Sequence, residues 1–188
     1  MCQICQNCRR VLEVIVVLVM VLRAFGLLCV LRFLLQLSGA NVYNPIVSAF
    51  AKITNPVLQP LRRFLPKHRL IDFSSGVVVL IIHVVVVLLS YPSFARAALI
   101  HIPIIFGVLS AINVVCVVYI VGIILTVIMS WVAPNVYSPA TEIAHVLTEP
   151  ILRPIRKVLP AMAGFDFSPM LALLGLFMIV SMLPRLPT

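Results

Sequence analysis

Long apolar stretches separated by short polar, proline-bearing segments set the rhythm of this chain, and each stretch predicts an element. From Val11 to Leu37 the residues are almost all aliphatic, broken chiefly by Arg23 and Arg32. At about 1.5 Å per residue this run is long enough to cross a bilayer, and it is the first expected span, read as an anchor and not as a cleavable signal. Asn44 followed by Pro45 predicts a helix start, with a capping side chain ahead of a residue pre-set for the first helical position. Ile46, Phe50 and Ile53 then fall on one face, with Ser48 and Lys52 elsewhere, which predicts an amphipathic helix lying in the membrane interface over about residues 45–55. Pro56, Pro60 and Pro66 surround Arg62 and Arg63, so a compact, turn-rich elbow is expected over 56–66, with Pro56 ending the helix before it. Asp72, Phe73 and Ser74 supply polar caps to the next apolar run, a second span over about 75–91. Residues 97–131 are longer than one span and shorter than two. Pro103 and Gly107 predict a kinked apolar segment over about 97–109, followed by a third span over about 111–131.

The pattern then repeats at an interval of 94 positions without a gap. TNPVLQPLRRFLP at residues 54–66 returns as TEPILRPIRKVLP at 148–160, and Asn41, Tyr43, Pro45 and Asp72 return as Asn135, Tyr137, Pro139 and Asp166. The second unit therefore reads as an interfacial helix over about 139–149, an elbow over 150–160 carrying Pro150, Pro154 and Pro160 with Arg153, Arg156 and Lys157, and a span over about 169–183. The expected fold class is an all-α integral membrane protein with four transmembrane helices in two tandem parallel repeats, 1–94 and 95–188. Each repeat has an interfacial amphipathic helix and a Pro/Arg-rich elbow. Two crossings per unit bring both copies in from the same side, related by an axis along the membrane normal.

Composition agrees with lipid as the solvent, since 63% of the 188 residues are hydrophobic and 10% charged, with a mean hydropathy of +1.21. A soluble domain averages roughly 45–50% apolar residues. The net charge of +9 gathers in the elbows, which places them in the cytoplasm and both termini outside. Nucleic-acid binding is the competing reading of a basic chain, but no aromatic-rich basic module interleaves with the 14 Lys and Arg residues. Cys2, Cys5 and Cys8 have a spacing that could hold a metal, yet no fourth soft ligand lies nearby, and a tail of free or lipidated thiols is the simpler account. No metal and no cofactor are expected.

Arg62, Arg63, Arg153, Arg156 and Lys157 are the candidate residues for binding anionic phospholipid or other membrane proteins. Arg23, Arg32 and Asn113 are polar groups at membrane depth. Arg32 can snorkel from near the end of its span, whereas Arg23 must face a partner, a crevice or another subunit. Asp72 and Asp166 could face each other across the pseudo-axis, but capping the following spans explains both more simply. His83 and His101 admit a haem or proton role, against the plainer reading of hydrogen-bonded helix histidines. No phosphate loop, nucleophile triad or zinc spacing is present in the sequence, so a non-enzymatic role is expected.

The NP at Asn44 and Pro45, the two proline-arginine elbows, the DFS at Asp72 to Ser74, the DFSP at Asp166 to Pro169 and the MSW at Met129 to Trp131 resemble the YggT family of small bacterial inner-membrane proteins, also present in plastids. Arg32, eleven residues before Tyr43, matches a family arginine. Thr126 stands at its equivalent in the second repeat, and Lys67, His68 and Arg69 replace the small residues of Ala161 to Gly164. The resemblance implies a multi-pass protein of the bacterial inner membrane, linked to osmotic tolerance, cell or plastid division, nucleoid distribution and, in plastids, haem attachment to cytochrome b. It supplies no catalytic residues. A scaffold or assembly factor that binds lipid and membrane proteins, with a second copy of the chain as a further partner, is expected first. Oligomeric ion transport or an osmotic-response accessory is the alternative.

Overall fold

The computed structural model describes residues 3–61, 73–91, 101–132, 138–159 and 166–184, with side chains from Arg9 onward apart from those of Leu61 and Phe73. Arg62, Arg63, Pro66, Asp72 and Pro160 lie outside the described residues. Those that are described form six helices: α1 (Gln3–Leu37), α2 (Pro45–Leu61), α3 (Phe73–Ser90), α4 (His101–Val132), α5 (Pro139–Val158) and α6 (Ser168–Met182). Pro45 and Pro139, which open α2 and α5, are separated by the same 94 positions as the sequence repeat.

Packing repeats along with sequence. The long helix α1 lies against α2 and α3, the long helix α4 lies against α5 and α6, and the seam between α3 and α4 joins the halves. One core cluster centres on Cys29, Val30, Leu34, Leu35, Leu58, Val79 and Val118, and a second on Cys116, Ile120, Ile123, Leu152 and Leu176. Tyr119 packs against both clusters.

Arg9–Leu37 and His101–Val132 are long and apolar enough to cross a membrane, while the apolar helices Ser74–Ser90 and Ser168–Met182 are shorter. Much of their apolar surface faces outward: Val11, Val14, Leu18 and Val21 on α1, and Leu174, Phe177 and Met178 on α6, are exposed. Apolar side chains displayed around whole helices need hydrocarbon for solvent.

The ends of the helices have local causes. Gly39, with φ of 71°, terminates α1, and the amides of Ala40 and Gly39 donate to the carbonyls of Leu35 and Gln36 at 2.9 and 3.3 Å. This is the paired closing arrangement that a left-handed residue allows after a helix. At the start of α5, Ser138 and Thr141 cap each other reciprocally, each side chain accepting from the other's amide.

One expectation from the sequence is corrected here. The elbows 56–66 and 150–160 are not turn-rich over their described parts, since α2 continues through Pro56 and Pro60 and α5 through Pro150 and Pro154. Each proline pair is spaced four residues apart on an exposed face, so the carbonyls that lose their amide partners line up where solvent or headgroups can reach them. Over the described residues the expected segment up to 109 and the third span form one element, the helix 101–132. Gly107 lets α3 and α4 approach closely at Val84. The side of α2 that faces the bundle carries Val47, Phe50, Ala51, Thr54 and Leu58, while Ile53 is 51% exposed.

Candidate functional site

The two proline-bearing helices form a layer at the shared end of the bundle, and their threonines explain its construction. Thr54 and Leu58 on α2 recur as Thr148 and Leu152 on α5, and all four are at most 1% exposed. Each threonine turns inward and donates to its own helix, Thr54 Oγ1 to the Phe50 carbonyl at 2.6 Å and Thr148 Oγ1 to the Ala144 carbonyl at 2.8 Å. Threonine, two residues before proline and four before leucine, thus marks the buried stripe, and proline marks the opposite one.

Arg32 separates the two halves. Its guanidinium donates to the Ala51 carbonyl at 3.1 Å and to Thr54 Oγ1, so α2 is clamped onto α1. The arginine expected to reach toward the headgroups thus finds acceptors on α2. Thr126, its counterpart, donates to the Gly122 carbonyl of its own helix at 2.9 Å.

Asn44 ties the repeats together. It is 5% exposed, its Oδ1 accepts from the Ile46 amide at 3.0 Å, and its Nδ2 donates to the Pro139 carbonyl at 3.1 Å and to Glu142 Oε2 at 2.9 Å. One side chain caps α2 and holds the N-terminus of α5 beside it. Glu142, in the first turn of α5, also suits the positive end of that helix. This junction gave no sequence signal, because Ser48, the counterpart of Glu142, is uncharged and bonds within its own turn.

On the outer face of α5, Arg156 donates to Asp166 Oδ2 at 2.9 Å and to Glu149 Oε2 at 3.2 Å. Arg156, the residue expected to anchor phosphate, thus pairs with Glu149 within α5 and with Asp166, which pins α5 to the start of α6. Asp166 also accepts from the Ser168 amide at 2.9 Å, closing the first turn of α6. Burial works to raise the Asp166 pKa, but hydrogen bonds from Ser168 and the Arg156 guanidinium outweigh it and hold the carboxyl low. Arg153 and Lys157 remain exposed on the same face, with Lys157 in the last turn, where a cation complements the helix dipole.

Arg23 lies elsewhere, in a half-open cavity of about 370 Å³ between α1, α3 and α4, lined also by His83, Ser110 and Asn113. The cavity is bounded by Leu183 and Pro184 just beyond α6. His83 is 7% exposed, and its Nδ1 is 2.8 Å from the Val79 carbonyl, which can only accept, so Nδ1 carries the proton. The structure thus brings Arg23 and Asn113 together and keeps both apart from Arg32. His101 is exposed near the start of α4, away from this group.

The family model described as CCB3/YggT matches residues 11–92 and again residues 105–186, two stretches offset by the 94-residue interval of the repeat. The chain belongs to the CCB3/YggT family. Relatives named YggT are known from Escherichia coli, 34% identical over 159 residues, covering 85% of this chain and 82% of theirs. An uncharacterized protein of Pseudomonas aeruginosa is 34% identical over 155 residues, covering 81% of this chain and 79% of its own length. One of Vibrio alginolyticus is 33% identical over 149 residues, covering 78% and 80%. No solved structure is similar to the chain. The two CCB3/YggT matches enclose both proline-bearing helices, the Asn44 junction and the cavity at Arg23.

Proposed function

We propose that this CCB3/YggT protein spans the bacterial inner membrane four times and works without catalysis as a docking component. Its two proline-bearing helices lie at the cytoplasmic interface and bind anionic phospholipid and other membrane proteins, supporting envelope integrity, division or osmotic tolerance. The Asn44 bonds to Pro139 and Glu142 carry this reading, because they make one platform from the two helices. A matched, rigid surface at the membrane boundary suits binding better than turnover. Exposed Tyr43 and Trp131 lie at the same end of the bundle, where amphipathic rings settle among headgroups. The helices α3 and α6, of 18 and 15 residues, reach about 27 and 22 Å at about 1.5 Å per residue, enough to cross a bilayer thinned or recessed around them.

Photo-cross-linking from Gln59 on α2 and Arg153 on α5 in living cells tests the proposal. Specific membrane proteins should be recovered from both positions, and recovery of lipid alone would contradict the docking role. Potassium or sodium flux in liposomes that disappears in Arg23→Leu would favour oligomeric ion transport in its place.

A further inference from the structure

The cavity at Arg23 plays no part in docking, and its residues do not follow the repeat. Counterparts 94 positions away are Val117 for Arg23, Phe177 for His83, Val16 for Ser110 and Val19 for Asn113, all apolar or aromatic. Four polar residues from three helices thus depart from the duplicated scaffold and converge on one cavity. Counting at about 1.5 Å per residue, Arg23 is about 21 Å from Leu37 at the end of α1, and His83 is about 15 Å from Phe73 at the start of α3. The cavity therefore lies toward the end of the bundle opposite the platform, where α6 stops and leaves a recess.

Its charge is uncompensated among the described residues. An arginine side chain stays protonated in any protein environment, and a lone charge at membrane depth is costly. Among the described residues no carboxylate lines the cavity, and Arg23, Ser110 and Asn113 have no hydrogen-bond partner. Ile82, Val86, Phe106 and Leu109 make the remaining wall apolar. The volume lies within the roughly 300–1,000 Å³ of small-molecule sites, which combine apolar walls with a few convergent polar groups.

We propose that this cavity binds a small monoanion with an apolar body, its carboxylate or phosphate oxygens meeting Arg23 and the amide of Asn113, its body lying against Phe106 and Leu109. The same chemistry is carried by a free organic carboxylate and by an anionic lipid headgroup. Asn113 and Ser110 donate to the oxyanion, and the Nδ1 proton of His83 is already used by Val79.

Equilibrium dialysis of radiolabelled benzoate against the full chain in phosphatidylcholine nanodiscs, corrected for empty discs, tests this. Saturable binding near one site per chain is expected, competed by heptanoate and not by benzyl alcohol, which has the same body without the charge. Arg23→Gln should weaken it at least about tenfold, as loss of a charge-assisted bond does, while Arg9→Gln, at an exposed arginine near the start of α1, leaves it unchanged. Asn113→Leu, weakening binding to a lesser degree, decides the matter should Arg23→Gln fail to fold by circular dichroism. In discs containing phosphatidylglycerol, loss of benzoate binding identifies a headgroup as the occupant, and retention identifies a free carboxylate. Absence of saturable benzoate binding in phosphatidylcholine, or unchanged binding in Arg23→Gln and Asn113→Leu, would overturn the proposal.

Discussion

Gly39 holds a left-handed conformation at the end of α1, with nothing within 4 Å of where a Cβ would stand. Gly39→Ala should therefore act through the backbone alone, lowering stability by roughly 1 kcal/mol in denaturant titrations of the detergent-solubilised protein. Asp166 gives a pH signature. Its folded pKa lies below the ordinary 3.8, so the ionised form is favoured by folding, and its contribution is present above that value and lost as pH falls through the folded pKa. Between about pH 5 and pH 3 the thermal midpoint of the wild type should fall more than that of Asp166→Asn. Identical slopes would mean that the contacts with Arg156 and Ser168 contribute nothing. Asp166 and Asn44 were legible as capping residues because a cap is written within three or four positions. Arg156's pairing with Glu149 and Asp166 was not, since the first needs α5 to continue through Pro150 and Pro154 and the second reaches ten positions on, past the end of that helix.

Elements were legible where their signal was local and misread where exposure decided. Pro45 and Pro139 open helices as expected, because first-turn amides have no partners to lose. Pro56, Pro60, Pro150 and Pro154 sit within helices all the same, on a face the sequence could not show to be outward. The close seam between α3 and α4 rests on Gly107. A Cβ there would lie 2.5 Å from Val84 Cγ2 and 3.0 Å from the Val84 backbone. Gly107→Ala must push α3 and α4 apart, and a loss of about 1–3 kcal/mol, the usual cost of overpacking, is expected in the same titrations. A neutral result would mean that the seam between the halves is not tightly packed at this point.

At the scale of the whole molecule, duplication was legible in the 94-residue interval, and the family match repeats at the same offset. How the halves meet was not legible, because the Asn44 to Glu142 bond joins residues 98 positions apart with no counterpart in the other direction. A double-mutant cycle of Asn44→Ala and Glu142→Gln should show coupling of about 0.5–3 kcal/mol beyond the loss of the α2 cap. Strictly additive effects would remove the junction as a link between repeats. The proposed parallel arrangement requires both proline-bearing helices on one side of the membrane, and the positive charge gathered there makes the cytoplasm the expected side. Single cysteines in place of Gln59 and Arg153, in a chain freed of its own five cysteines, report this directly when cells are treated with a membrane-impermeant maleimide. Neither position should react in intact cells and both should react after permeabilisation, whereas labelling of either position in intact cells would contradict the arrangement.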